Sequence, residues 1–150
     1  MTTRNFTIRA LGEIAIRCRD KPAMVAFYEN IIGLERMAGD DDGPITFFKI
    51  AEGFDGHTSI LALFRYDIQG AAVETVATQP PETGATSSLH HIALSLPYAE
   101  QEAVMAWYDT QNQPYRIEHF DWVGWRGIFT NDPDGNTMEL VAKDPNWQES

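Results

Sequence analysis

The sequence predicts an α+β fold: two tandem copies of one strand, helix and strands module, with mainly antiparallel strands curving around a cup-shaped cleft and the helices outside. Three internal echoes carry this reading. Leu89-His90-His91-Ile92-Ala93-Leu94 matches Leu11-Gly12-Glu13-Ile14-Ala15-Ile16 in its apolar pattern. Ala106-Trp107-Tyr108 falls where Ala26-Phe27-Tyr28 does, with a two-residue slip, and Asp134-Gly135-Asn136-Thr137 repeats Asp55-Gly56-His57-Thr58. The first module covers residues 10–66 and the second 89–143, joined by a linker over 67–88.

Each element has a local cause. Leu11 to Cys18 alternates, so Ile14, Ile16 and Cys18 share one strand face and Glu13, Ala15 and Arg17 the other. Asp20 is a helix N-cap with Pro22 in the first turn. Met24, Phe27, Tyr28 and Ile31 then recur at helical spacing until Gly33 stops the helix. Gly39 to Gly43 is an acidic loop. Pro44 leads into a strand over Ile45 to Ala51, and Gly53 to Gly56 turns the chain into another over His57 to Arg65. Gln69 to Ser88, rich in Ala, Thr, Pro, Gly and Ser around Pro80-Pro81, has no apolar period and reads as linker. In the second module Val104, Trp107 and Tyr108 form the apolar face of a helix. Asp132 to Asn136 is a tight turn, and Thr137 to Val141 alternates as a half-buried strand in which Glu139 faces away from Met138 and Leu140.

Composition excludes several function classes. A chain of 150 residues with 43% hydrophobic residues has material for one ordinary domain or two small modules. At a formal charge of -11, its eleven Lys and Arg lie scattered among twenty-two Asp and Glu, so no basic stripe for nucleic acid exists. No apolar run is long enough to span a membrane, and the start MTTRNFTIRA has no signal-peptide core, so a cytoplasmic location is expected. The single Cys18 sits in a strand-like run and reads as a small core residue.

The opening LGEIAIRCRDKPAMVAFYENIIGLE, the second opening LHHIALSLP and the closing NDPDGNTMELV resemble the vicinal oxygen chelate superfamily of glyoxalases, bleomycin and fosfomycin resistance proteins and extradiol dioxygenases. The resemblance implies paired βαβββ modules and a divalent metal held by a residue of each first strand and the Glu of the last. In this chain those positions are Glu13, His91 and Glu139. A fourth ligand position, Ile60 or Ala62 depending on register, cannot ligate, and Glu stands at position 13 where His is usual. One imidazole with two carboxylates suits Fe, Mn, Ni or Mg, and Zn less obviously as a structural site. Open positions on the ion would take substrate. The resemblance also implies a homodimer and a small-molecule substrate. The leading expectation is a metal-dependent enzyme of glyoxalase-like lyase or isomerase type; the alternatives are an extradiol-type dioxygenase and a metal-free, bleomycin-resistance-like binding protein.

Other residues are weighed against plainer readings. Glu13 is a ligand, a general base, or the partner of Arg17 or Arg126. Within His119 to Arg126, Trp122 and Trp125 offer flat apolar surface to a substrate, His119 a proton shuttle and Arg126 a carboxylate clamp, whereas Phe120 reads as a cross-strand packing residue. His90 shares parity with Ile92 and is placed on the outer side, as a donor supporting the ligands. His57 reads as a turn residue, and Asp40 to Asp42 as a solvated turn without calcium-ligand spacing.

Overall fold

The computed structural model describes residues 3–68 and 77–150, and residues 69–76 of the expected linker lie outside the described residues. The chain divides into two compact units, residues 1–79 and 80–150. Each is a βαβββ module with its own four-stranded mixed sheet.

In the first unit the strands are β1 (Glu13–Cys18), β2 (Glu35–Ala38), β3 (Ile45–Phe54) and β4 (His57–Arg65), ordered β1-β4-β3-β2. The strand β1 runs parallel to β4, because the helix carries the chain back across the sheet before the other three strands form. That helix, α1 (Lys21–Ala26), starts as the sequence predicts: Asp20 Oδ1 accepts a hydrogen bond from the Ala23 amide at 3.1 Å. It widens into a π-helical stretch over Phe27–Ile32 before Gly33, at φ +86°, ends it. Met24, Val25, Phe27 and Tyr28 are buried with Cys18, Phe48, Leu61 and Leu63, as the alternation in β1 demands. The short strand β2 has no apolar alternation to announce it; it forms by pairing with β3.

Lys21 is buried at the start of α1 and donates to the carbonyls of Asp40 (2.8 Å) and Asp41 (3.2 Å) and to Thr46 Oγ1 (2.6 Å). The acidic loop is therefore a socket for a buried ammonium, whose pKa burial lowers. Arg36 holds the loop from outside through Glu29 (2.6 Å) and Asp41 (2.8 Å).

The second unit repeats the plan with β5 (Ile92–Ser95), α2 (Gln101–Thr110), β6 (Arg116–Phe120), β7 (Trp125–Asn131) and β8 (Thr137–Lys143), in the strand order β5-β8-β7-β6. Gln101, fully buried at the head of α2, donates to the carbonyls of Arg126 (2.7 Å) and Leu140 (3.2 Å). Thr83, in the described part of the expected linker, donates to the Asp134 carbonyl at 2.7 Å and so ties that segment to the second unit. Among the described residues no helix is long and apolar enough to cross a membrane.

Candidate functional site

The turn that feeds β8 is built around one carboxylate. Asp132 Oδ1 accepts from the amides of Asp134 (3.0 Å) and Asn136 (2.9 Å), Asp132 Oδ2 accepts from Asn136 Nδ2 (3.0 Å), and all three side chains are buried. This fixes where β8 begins, and hence which way each residue of it points. Met138, Leu140 and Ala142 take the core side. Glu139 takes the other face, beside Ala93 of β5 and opposite Phe129 of β7.

Glu139 is nonetheless only 4% exposed. Its Oε2 lies 3.1 Å from His91 Nε2, and Gly127 makes room for the carboxylate: a Cβ there would stand 2.5 Å from Glu139 Oε1. Burial pushes the Glu139 carboxyl above the usual carboxylate range, and the His91 imidazole pulls it partly back. His91 Nδ1 is 2.8 Å from His90 Nδ1, and the His91 ring lies 5.8 Å from that of Phe129. One nitrogen of the two histidines must donate to the other. With His91 Nδ1–H donating to His90, His91 Nε2 keeps a bare lone pair beside Glu139; in the opposite arrangement His91 Nε2–H donates to the carboxylate.

A pocket of about 270 Å³ opens over the pair, lined by His91, Ala93, Phe120, Trp122, Trp125, Glu139 and Val141. Trp122 and Trp125 both line it. Phe120 stands with them instead of serving only as packing, because it pairs with Trp125 across the β6–β7 ladder and shares its face. His119 and Arg126 are not brought to the pair. They oppose one another on the ladder, one residue out of phase with Phe120 and Trp125, and so project from the face that carries α2. Arg126 is committed there. Its Nε donates to Gln101 Oε1 at 2.7 Å, its guanidinium lies 4.1 Å from the Tyr98 ring centroid, and Glu102 is 3.5 Å away. The arginine on the pocket side is Arg116, 4.9 Å from the Phe129 ring centroid and 3.7 Å from Glu118.

The donors present fit part of a metal site. Two atoms each about 2.1 Å from one ion and at right angles to each other lie about 3.0 Å apart, and His91 Nε2 and Glu139 Oε2 are 3.1 Å apart. Among the described residues no group of three or more His, Cys, Asp and Glu gathers around one point. Glu13 is the first residue of β1 in the first unit, exposed on the face away from Ile14 and Ile16. The strand register decides the fourth position: Ala15 pairs with Ala62 as Ala93 pairs with Glu139, so the residue equivalent to Glu139 is Ala62.

A βαβββ repeat with a carboxylate and an imidazole on its open face defines a class, and the family comparison agrees with it. The model of the Glyoxalase/Bleomycin resistance protein/Dioxygenase superfamily matches residues 10–140, and the chain belongs to that superfamily. No curated protein matches the chain. Among solved structures it is similar to lactoylglutathione lyase from Agrobacterium tumefaciens at 22% identity and a TM-score of 0.60, over 87% of this chain and 90% of that one. A glyoxalase/dioxygenase from Nostoc punctiforme matches at 21% identity and a TM-score of 0.63, over 96% and 97%. A mutant of the fosfomycin resistance protein FosX from Listeria monocytogenes, complexed with Mn(II) and 1S,2S-dihydroxypropylphosphonic acid, matches at 19% and 0.62, over 94% and 95%. At these identities the likeness is one of fold.

Proposed function

We propose that the chain is a divalent-metal-dependent enzyme acting on a small oxygenated organic substrate, with glyoxalase-like lyase or isomerase chemistry. The observation that carries this is the buried Glu139 carboxylate, 3.1 Å from the half-buried His91 imidazole at the floor of an aromatic-walled pocket. A carboxylate buried this far needs a cationic or hydrogen-bonding partner, and an ion of the Fe, Mn, Ni or Zn type would serve both donors at once. Bound there, such an ion supplies Lewis acidity to a substrate carbonyl or hydroxyl.

The protein's own part is positional. His90 holds the His91 ring, Gly127 leaves the space in which the Glu139 carboxylate sits, and Trp122, Trp125 and Phe120 take the apolar part of a substrate. Glu13 is proposed as the third donor or as the base that moves a proton, on the ground that it stands where His91 does in the repeat. An extradiol-type dioxygenase would use the same donors.

The second reading is metal-free sequestration of a flat ligand, favoured by Trp122 and Trp125, which are 77% and 47% exposed on the pocket. Titration calorimetry with Mn(II) on the chelator-treated protein separates the two. Wild type is expected to bind about one equivalent, with Glu139→Gln and His91→Ala each weakening binding about 100-fold and Glu13→Gln about 10-fold. Absence of binding in wild type, with Fe(II), Ni(II) and Zn(II) also tried, would leave the sequestration reading.

A further inference from the structure

A second pocket adjoins the first on the same face of the second unit. It measures about 340 Å³, is lined by Ser95, Leu96, Trp125, Val141, Ala142 and Lys143, and shares Trp125 and Val141 with the His91–Glu139 pocket. Strand geometry makes the two into one trench. Glu139, Val141 and Lys143 are two residues apart along β8 and share a face, which puts the first and last Cα atoms about 13 Å apart at about 3.3 Å per residue. Trp125 pairs with Lys143 on one side of β8, and Ser95 pairs with Val141 on the other. The trench thus runs from an imidazole and carboxylate, over a floor of Val141 and Trp125, to an ammonium and a hydroxyl.

The cationic end is built, not incidental. The Lys143 ammonium lies 5.7 Å from the Trp147 ring centroid. Trp147 is held in turn by donating its indole N–H to the Asp121 carbonyl at 2.7 Å and by lying on Gly124, where a Cβ would come within 2.2 Å of its Cγ. Among the described residues no carboxylate forms an ion pair with Lys143, whereas Arg116 on the same face has Glu118. The chain as a whole repels anions at a net charge of -11, so any preference for an anion at this point has to come from Lys143 locally.

We infer that the ligand of this trench is an elongated aromatic or unsaturated monocarboxylate. Its flat body lies against Trp122, Trp125 and Val141, and its carboxylate is at Lys143 with Ser95 as a second donor. The oxygen-bearing opposite end would meet His91 and Glu139; that part rests on the metal reading above, whereas the carboxylate end does not.

The test titrates cinnamate and its neutral isostere cinnamamide into the metal-free protein, reading tryptophan fluorescence and heat, with Mn(II) titrated in parallel. Wild type is expected to prefer cinnamate about tenfold, Lys143→Met to bind both probes alike, and Lys143→Arg to keep the preference, with Mn(II) affinity the same in all three. Equal affinity of wild type for acid and amide, no binding of either up to millimolar concentration, or a preference that survives Lys143→Met would each overturn the inference. Loss of Mn(II) binding with the acid preference intact would overturn the metal reading alone.

Discussion

The two modules share one topology and differ at the few positions that make a site. Where β1 of the first module pairs Ala15 with Ala62, β5 of the second pairs Ala93 with Glu139. Where Phe47 opposes Ala62, Phe129 opposes Glu139, and two residues earlier Ile45 stands where Gly127 does. A phenylalanine stands directly across in both modules, and the difference lies two positions away on the same strand: Ala62 goes with Ile45 in the first, the Glu139 carboxylate with Gly127 in the second. The volume is exchanged within the sheet, so the fold is kept while one face gains a buried carboxylate.

The same comparison holds at the helix heads. Lys21 and Gln101 are each the first residue of their helix, each is buried, and each donates to two distant backbone carbonyls, in the acidic loop for Lys21 and in β7 and β8 for Gln101. One does it with a charge and one with a neutral amide. The acidic loop Asp40 to Asp42 exists in the first module as the acceptor for that charge, whereas in the second the Gln101 amide group both donates to and accepts from Arg126.

The largest effect should come from trying to erase the difference. Ala62→Glu places a carboxylate at a fully buried position opposite Phe47, with Ile45 in place of the glycine that accommodates Glu139. A loss of about 3–5 kcal/mol is expected, enough to prevent folding at 37 °C in a marginally stable domain. Urea unfolding followed by far-UV circular dichroism measures it. A loss below about 1 kcal/mol would mean that the first module also has room for a carboxylate, and the volume-exchange account would fail.

Next come the helix heads. Lys21→Ala removes donors to two carbonyls and Thr46 and leaves a cavity, for an expected cost of about 3 kcal/mol. Gln101→Ala removes two donors and one acceptor, for about 2 kcal/mol. Midpoints from the same urea experiment rank them, and a Lys21→Ala variant more stable than wild type would show that the charge at Lys21 costs more to bury than its hydrogen bonds return.

How much of this is legible in the sequence depends on whether a residue's role is set along the chain or across it. Glu139 and its face follow from alternation after a turn, and Trp122 and Trp125 from their clustering. The same alternation, carried two strands back, would have excluded Arg126 and His119 from the pocket: Trp125 and Gly127 flank Arg126, and if they face the pocket it cannot. Gly127 itself is visible only as a glycine inside a strand, since its use depends on Glu139 across the ladder. The strand β2 has four residues and no pattern, so only β3 beside it makes it a strand. His90 meets His91 because the strand starts one residue later, at Ile92, and parity does not yet apply.

A smaller effect sharpens the electrostatic side of the comparison. The raised pKa of Glu139 means that the native state holds this proton more tightly than the unfolded chain does. As pH rises from the ordinary 4.5 through the native pKa, metal-free wild type therefore loses stability, and beyond that the loss is constant. Glu139→Gln removes the slope. The variant's Tm should equal that of wild type in acid and exceed it by a few degrees at most in neutral buffer. A Tm advantage that shrinks as pH rises would show that His91 stabilises the carboxylate more than burial penalises it.

The smallest effect lies in the helix cores, where the two modules again place one residue each way. Tyr28 and Tyr108 are equivalent and both are fully buried. Tyr108 Oη is the one buried side-chain polar atom among the described residues with no hydrogen-bond partner, and burial pushes its pKa up to about 12; Tyr28 is not left in that state. A hydroxyl that is desolvated without being paired works against folding, so Tyr108→Phe is expected to be neutral or to stabilise by up to about 1 kcal/mol, while Tyr28→Phe destabilises by a similar amount. Opposite signs from one chemical change at two equivalent positions would show that the repeat conserves packing volume at this site and not polar pairing. Equal losses in both variants would mean that Tyr108 finds a partner in solution and that the two cores are alike.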